Sequence, residues 1–255
     1  MKQNNIVNSD KKLVGYITAS IPDNNFTVDL ALSMKESGVD TLELGIPFSD
    51  PVADGPVIEK ANLIALNNGF KLTDLFEVSS KIAPQMDTLW MGYMNPFYKY
   101  GIENFLKKAQ EFGIEGTIIP DVPFEMAEDL LPLYKKYNKS NISFVAPTHN
   151  ENRIKQVVSN SQKFIYMVAY AGITGSGQKE DLTSIIENVR KYTQTPLYIG
   201  FGVDENTCKD KVKGVDGVIV GSAFVKHIID DSLSNTEKIK KISSLAKEIK
   251  EKINE

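Results

Sequence analysis

The chain has 255 residues, of which 42% are hydrophobic, and its 29 basic and 33 acidic residues give a net charge of −4. A chain without a basic excess does not favour nucleic acid as a partner. No apolar run approaches the roughly 20 residues that a membrane span needs. Because no glycine-, proline- or serine-rich linker divides the chain, we predict a single domain over residues 1–255.

The cysteine and histidine content bears on the compartment and on metal binding. Cys208 is the only cysteine, so no internal disulfide can form. Together with a polar N-terminus that lacks a hydrophobic signal segment, this predicts a cytoplasmic protein. His149 and His227 are the only histidines, and neither has a ligand partner at a recognised spacing. We therefore expect no metal site.

Apolar, β-branched runs alternate with amphipathic segments along the chain. The first amphipathic segment has Phe26, Leu30 and Met34 at helical spacing, with Gly38 as a stop signal. Eight strand–helix units in about 250 residues predict a (β/α)8 barrel of the TIM type, and a doubly wound open α/β sheet is the alternative. The predicted strands are residues 13–19, 41–46, 88–93, 116–121, 142–147, 164–169, 196–201 and 217–222.

The connection after the second strand is longer than the others. It contains a proline-rich loop and an extra helix, predicted at residues 57–68, before the expected helix at residues 72–82. Loops that follow barrel strands lie over the C-terminal face, where barrel enzymes keep their active sites. A mobile lid is the natural hypothesis for this insertion.

Two carboxylates in this region are site candidates. In the second strand, Leu42, Leu44 and Ile46 alternate with Glu43, so Glu43 is predicted to point into the barrel interior. Burial of a carboxylate is costly, and it raises the pKa toward the range that suits proton transfer. Asp54 follows in the loop and can approach a ligand from another direction. The alternative is that Glu43 is an interior ion-pair partner and Asp54 a turn residue.

Residues 43–56, ELGIPFSDPVADGP, closely resemble the signature of the tryptophan synthase α chain family, and the resemblance extends over nearly the whole chain. The resemblance implies a (β/α)8 barrel that cleaves indole-3-glycerol phosphate to indole and glyceraldehyde 3-phosphate without a cofactor. Further segments resemble the family in the same order: residues 61–69 (ANLIALNNG), 91–101 (MGYMNPFYKYG), 113–123 (GIEGTIIPDVP), 172–175 (GITG), 200–203 (GFGV) and 217–223 (GVIVGSA).

The resemblance also implies roles for the two acids. The reaction is a retro-aldol cleavage, in which indole C3 gains a proton and the neighbouring glycerol hydroxyl loses one. Glu43 matches the general acid/base of the family, and Asp54 matches the residue that stabilises the indole N–H. The alternative functions are a stand-alone indole-releasing lyase and a mainly regulatory subunit that activates a β chain. A different phosphate-binding barrel enzyme ranks last.

Phosphate recognition is predicted in the glycine-rich turns after the last three strands. Small residues let backbone N–H groups close around an oxyanion, and a short helix from Ser222 to Lys226 can start beside them. Ordinary strand-to-helix turns, which also favour glycine, are the alternative. The residues predicted to bind phosphate are Gly172, Gly175, Gly202, Gly221 and Ser222.

Two further groups follow from the resemblance. Tyr16, Thr18 and Tyr166 match positions that line the indole cavity, although each could equally be barrel core. An aromatic segment after the third strand matches the contact with a β chain in an α2β2 heterotetramer. Burial beneath the segment's own helix is the alternative there. The residues assigned to that contact are Pro51, Asn95, Phe97 and Asp121.

The sequence departs from the family in three places. Ala169 and Tyr170 stand where many members have a serine and some a following arginine. The resemblance therefore does not carry over the usual hydrogen bonds between this loop and the loop that bears Asp54. Ser20 replaces a common glycine, and His149 lies in a segment that more often reads Thr-Thr-Pro. None of these changes touches Glu43 or Asp54.

Overall fold

The computed structural model describes residues 10–169 and 182–255, and the elements given below belong to those ranges. The strands are β1 Lys12–Thr18, β2 Thr41–Gly45, β3 Asp87–Met91, β4 Gly116–Ile118, β5 Ser140–Asn141, β6 Ser143–Val145, β7 Ile165–Val168, β8 Leu197–Gly200 and β9 Gly217–Val220. The helices are α1 Asn24–Glu36, α2 Pro56–Asn67, α3 Leu72–Ile82, α4 Met94–Tyr100, α5 Ile102–Phe112, α6 Phe124–Lys136, α7 Glu151–Ser159, α8 Thr183–Tyr192, α9 Cys208–Lys211, α10 Ser222–Ile228 and α11 Asn235–Ile253.

The described strands form one parallel sheet that nearly closes into a barrel. Their order is β5-β4-β3-β2-β1-β9-β8-β7-β6, which follows the chain around a circle. The predicted (β/α)8 barrel is therefore confirmed, and the open-sheet alternative is wrong. The fifth barrel strand is interrupted at Ile142: β5, which lies before the predicted range of 142–147, pairs with β4, whereas β6, inside that range, pairs with β7. Both halves thus belong to one barrel strand that changes partner.

Side-chain alternation in the strands produces an inner and an outer core. The barrel interior contains an apolar cluster that includes Val14, Leu89 and Ile219. Leu42, Leu44 and Ile46 face outward and belong to the larger core beneath the helices. Glu43 lies in register with Tyr16 on β1 and Leu89 on β3. Because parallel partners in register point to the same face, Glu43 faces the barrel interior as predicted.

Local signals in the sequence explain where the helices begin and end. The Asp23 carboxylate accepts a hydrogen bond from the Phe26 backbone N–H at 2.9 Å and so caps α1. A capping box of Ser234 and Glu237 opens α11. The extra helix predicted at residues 57–68 is present as α2, and α4 was not predicted. Within the described ranges, no helix is both long and apolar enough to cross a lipid bilayer.

Candidate active site

A cavity of about 430 Å3 opens at the C-terminal end of the barrel strands. It brings together side chains and turns that lie far apart in the sequence. Thr18 is buried but does not line this cavity, and Gly172 and Gly175 lie outside the described residues. The predicted site residues that do line it are Tyr16, Glu43, Asp54, Tyr166, Gly202, Gly221 and Ser222. Lining residues that the sequence did not single out for the site include Ile58, Met91, Phe201, Ile219 and Lys226.

Glu43 is held in the middle of β2 in a nearly water-free position. Only 2% of its surface is exposed, and its Oε1 atom has no hydrogen-bond partner in the described part of the chain. Burial raises the pKa of Glu43 to about 8, and the negative charge of Asp54 acts in the same direction. The Glu43 carboxyl is therefore mainly protonated at pH 7, so that it can donate a proton.

Asp54 reaches the same cavity from the loop between β2 and α2. The Asn62 side-chain amide donates to its Oδ2 at 3.2 Å, and the Tyr93 hydroxyl also donates to its carboxylate. Burial raises the pKa of Asp54 to about 6, although these two hydrogen bonds oppose the shift. The Ala53 backbone N–H donates to the Tyr93 hydroxyl at 3.1 Å, which holds the loop beside β3. Sequence reasoning missed Asn62 altogether and interpreted Tyr93 only as part of the aromatic segment.

Two tyrosines, Tyr16 and Tyr166, form part of the cavity wall. A Cβ atom at Gly45 would collide with the Tyr16 hydroxyl, and a Cβ atom at Gly200 would collide with the Tyr166 hydroxyl. Each ring therefore occupies space that a side chain on the neighbouring strand would need. The Tyr166 ring also meets the Phe201 ring edge-on, with centroids 6.2 Å apart. The walls formed by these rings suit a flat aromatic ligand.

The turn after β8 also lines the cavity and presents backbone N–H groups to it. Phe201 and Gly202 both have a positive φ, of 74° and 62°. Lys211 donates to the Phe201 carbonyl at 2.5 Å, and Thr207 donates to the Gly202 carbonyl at 2.9 Å. Because N–H and C=O point in opposite directions across a trans peptide, the N–H groups of Gly202 and Val203 face away from Lys211 and Thr207. Both residues line the cavity, so the turn can bind an anion.

The residues predicted to contact a partner occupy different environments. Asn95 and Asp121 are exposed and Pro51 is half-buried. The Asp121 carboxylate accepts a hydrogen bond from the Met94 backbone N–H at 2.9 Å. Phe97 is only 1% exposed, and its ring lies 4.6 Å from that of Phe105. The Phe97 side chain thus supports this surface from below, as the burial alternative had it.

Two of the residues that depart from the family pattern, Ser20 and Ala169, lie in the described part of the chain close to barrel strands. Ser20 has a φ of 61°, the left-handed backbone region in which a glycine is favoured. Ala169 is buried, and its N–H donates to the Gly200 carbonyl at 3.2 Å. Tyr170 lies outside the described residues. Among the residues that the structure does describe, no group of three or more His, Cys, Asp or Glu side chains is placed to hold a metal ion.

These features of the fold and the site define a class of enzymes. A parallel barrel with two acids of different pKa and an anion-binding turn at its C-terminal rim is typical of enzymes that perform acid–base chemistry on phosphorylated substrates. The comparisons with known proteins narrow this class to one family.

The family described as tryptophan synthase alpha chain matches residues 2–254. The tryptophan synthase alpha chain of Wolinella succinogenes is 56% identical over 247 residues, covering 96% of this chain and 97% of that one. The solved alpha subunit from Campylobacter jejuni is 32% identical with a TM-score of 0.83, covering 94% of this chain and 96% of that one. A chain of the Pyrococcus furiosus tryptophan synthase a2b2 complex is 29% identical with a TM-score of 0.83, covering 94% and 98%.

The chain belongs to the tryptophan synthase α chain family. Its function is that of the α subunit in tryptophan biosynthesis, a carbon–carbon lyase that cleaves indole-3-glycerol phosphate to indole and glyceraldehyde 3-phosphate.

Proposed function

We propose that Glu43 and Asp54 carry the lyase reaction in this chain. The observation that carries the proposal is that both acids line one cavity but differ in pKa, about 8 for Glu43 and about 6 for Asp54. Two titrating groups in environments that separate their pKa values can take opposite roles at pH 7. Glu43 is the proton carrier, and Asp54 is the fixed negative charge.

Glu43 gives up one proton and regains one in each turnover. The protonated Glu43 carboxyl gives its proton to indole C3, which places positive charge on the ring. The resulting Glu43 carboxylate then takes the proton of the neighbouring glycerol hydroxyl. As that oxygen becomes a carbonyl, the carbon–carbon bond breaks and its electron pair returns to the indole ring. Glu43 ends protonated, ready for the next substrate.

Asp54 stabilises the positive charge that appears between these two proton transfers. The cationic ring makes the indole N–H a stronger hydrogen-bond donor, and an ionised carboxylate is the acceptor that gains most from it. Asp54 is ionised at pH 7, because its pKa of about 6 lies below that pH. Its hydrogen bonds from Asn62 and Tyr93 hold the carboxylate in place before the charge develops.

The two ends of the substrate are assigned to two groups of residues that line the cavity. Tyr16 and Tyr166 flank the indole ring, and Thr18 stays a predicted contributor through its oxygen, 3.4 Å from the Tyr16 hydroxyl. The N–H groups near Gly202, Gly221 and Ser222 bind the phosphate. Gly172 and Gly175, from the undescribed segment, remain part of this prediction.

The proposal includes a β-chain partner in an α2β2 assembly. The similarity to a chain of the Pyrococcus furiosus a2b2 complex supports it, as does the exposure of Asn95 and Asp121. We also propose that residues 1–255 act as one domain, since the Lys11 backbone N–H donates to the Asn254 side chain at 2.7 Å and so joins the two ends of the described chain. The cytoplasm is the proposed place of action, which suits a buried free thiol at Cys208.

The test is an assay of glyceraldehyde 3-phosphate release from indole-3-glycerol phosphate, with and without a β chain. Glu43→Gln keeps the shape of the side chain but cannot carry the proton, so kcat is expected to fall at least 100-fold, roughly the smallest effect of losing a general acid–base group. Asp54→Asn is also expected to lower kcat, because the amide carries no negative charge.

Glu36→Gln and Asp129→Asn are matched controls, because both acids are exposed on outer helices, and each should leave the rate unchanged. Near-normal turnover of Glu43→Gln would show that the proposed proton carrier is wrong. An unchanged rate for Asp54→Asn would remove its proposed role.

A further inference from the structure

The cavity has one lining cation in the described part of the chain. Lys226 lies on α10 and lines the cavity together with Ser222. The acids Glu43, Asp54 and Asp204 line the same cavity. A phosphate monoester carries roughly 1.5 to 2 negative charges near pH 7. An anion of that charge therefore enters a cavity whose other titratable groups are mostly acidic.

Lys226 has no acidic partner of its own among the described residues. Two lysines elsewhere in the barrel have such partners: Lys163 pairs with Asp87 at 2.8 Å, and Lys250 pairs with Asp40 at 2.8 Å. No such ion pair involves Lys226 in the parts of the chain that the structure describes. Asp204 does not serve as its partner, because the Asp204 carboxylate accepts hydrogen bonds from the backbone N–H groups of Asn206 and Thr207, at 2.9 Å each.

The helix places Lys226 within reach of the predicted phosphate position. Residues four apart share one face of a helix about 6 Å apart, so Lys226 lies above Ser222 and the turn that contains Gly221. A lysine side chain spans a comparable distance and ends in a flexible ammonium with three donors. The ammonium can therefore contact a phosphate that is held by the N–H groups at Gly221 and Ser222.

We propose that Lys226 supplies the positive charge that binds the phosphate group of the substrate. This inference rests on the proposed function, since it assumes that the phosphate lies beside Gly221 and Ser222. Lys226 is a binding residue remote from the bond that breaks. Its contact with the phosphate is the same in the ground state and in the transition state, so its loss raises KM and leaves kcat nearly unchanged.

The experiment compares two ligands that differ only in the phosphate. Indole-3-propanol phosphate and indole-3-propanol cannot be cleaved, because neither carries the hydroxyl that must lose a proton. Calorimetric titration of Lys226→Gln should show about tenfold weaker binding of the phosphate ester, the usual size of one charge-assisted contact. Binding of the alcohol should be unchanged. Lys226→Arg should retain most of the affinity, and Lys247→Gln on the exposed face of α11 is the control.

The outcomes separate this inference from the proposed function. If Lys226→Gln binds the ester as tightly as the unaltered protein does, Lys226 is not the phosphate ligand, whereas the roles of Glu43 and Asp54 stand. An equal loss of affinity for both ligands would also overturn the inference, since it would indicate a structural effect. If the unaltered protein binds the ester no better than the alcohol, both the phosphate site and the role of Lys226 are wrong.

Discussion

Glu43 illustrates how one residue connects catalysis with stability. Its pKa is raised to about 8 because the folded chain removes water from the carboxyl. In the unfolded chain the same group titrates near pH 4.3, as in model peptides. Between these two values the folded state binds more protons than the unfolded state, so the free energy of unfolding falls as pH rises through this window.

A substitution tests this linkage. Glu43→Gln removes the titrating group, so the variant is expected to be more stable than the unaltered protein at pH 8 to 9 and to lose this advantage near pH 5. Each unit of pKa shift corresponds to about 1.4 kcal/mol, which makes the expected gain a few kcal/mol. Urea unfolding at several pH values measures it, with Glu36→Gln as the exposed control. If the difference in unfolding free energy between Glu43→Gln and the unaltered protein did not change with pH, the charge of Glu43 would not be what destabilises the folded state.

At the scale of elements, the two acids are held by structures of different kinds. Glu43 sits in the middle of a strand that pairs on both sides. Asp54 belongs to a loop and depends on contacts from two neighbours, Tyr93 after β3 and Asn62 on α2. The extra helix α2 therefore has a structural role, because Asn62 in its second turn holds the Asp54 carboxylate in place.

Removing one of these contacts should be visible in the pH–rate profile. Tyr93→Phe removes the hydrogen bond that lowers the pKa of Asp54, so the acid limb of the profile is expected to move to higher pH. The turnover number should fall about tenfold, the size expected for a hydrogen bond to a charged group. Tyr98→Phe is a matched control, because Tyr98 is 74% exposed on the next helix. An unmoved acid limb in Tyr93→Phe would contradict this role.

At the scale of the whole molecule, the proposed assembly can be tested directly. The chain and a β chain of this family should co-elute in size-exclusion chromatography at micromolar concentration. Asn95→Arg places a long charged side chain on the exposed surface of α4, and it is expected to weaken the complex. Lys247→Glu, on α11, should not. Separate elution of the unaltered chains would favour the stand-alone lyase.

The barrel follows from patterns that the sequence displays along its length. Each of the eight predicted strands is present, because β-branched runs and helical spacing are local signals. Their C-terminal ends were placed one to three residues too late, and the break at Ile142 was missed, since a change of partner depends on the neighbouring strands. Glu43 was a site candidate because it alternates with apolar residues in a strand, whereas Asp54, in the following loop, was assigned a role through the resemblance to the family signature.

Other parts of the site required the folded chain. Asn62 lies on a helix eight residues after Asp54, and nothing in its surroundings in the sequence marks it as a donor to that carboxylate. Phe201 lies in a turn, and its positive φ is unusual for a residue with a large side chain. Lys226 resembles any other lysine on a helix. These three residues gain their roles from backbone conformation and side-chain contacts that the folded chain displays and the sequence does not.

The glycines beside the two tyrosines have a consequence for how this sequence can change. Gly45 and Tyr16 fill one space between them, and so do Gly200 and Tyr166. A methyl group added at Gly45 would need a smaller residue at Tyr16 in the same step, because losing the hydroxyl alone would leave ring atoms in the way. Substitutions at the two positions are therefore coupled, and one is not expected to change without the other. A relative with a side chain at the position of Gly45 should lack an aromatic ring at the position of Tyr16.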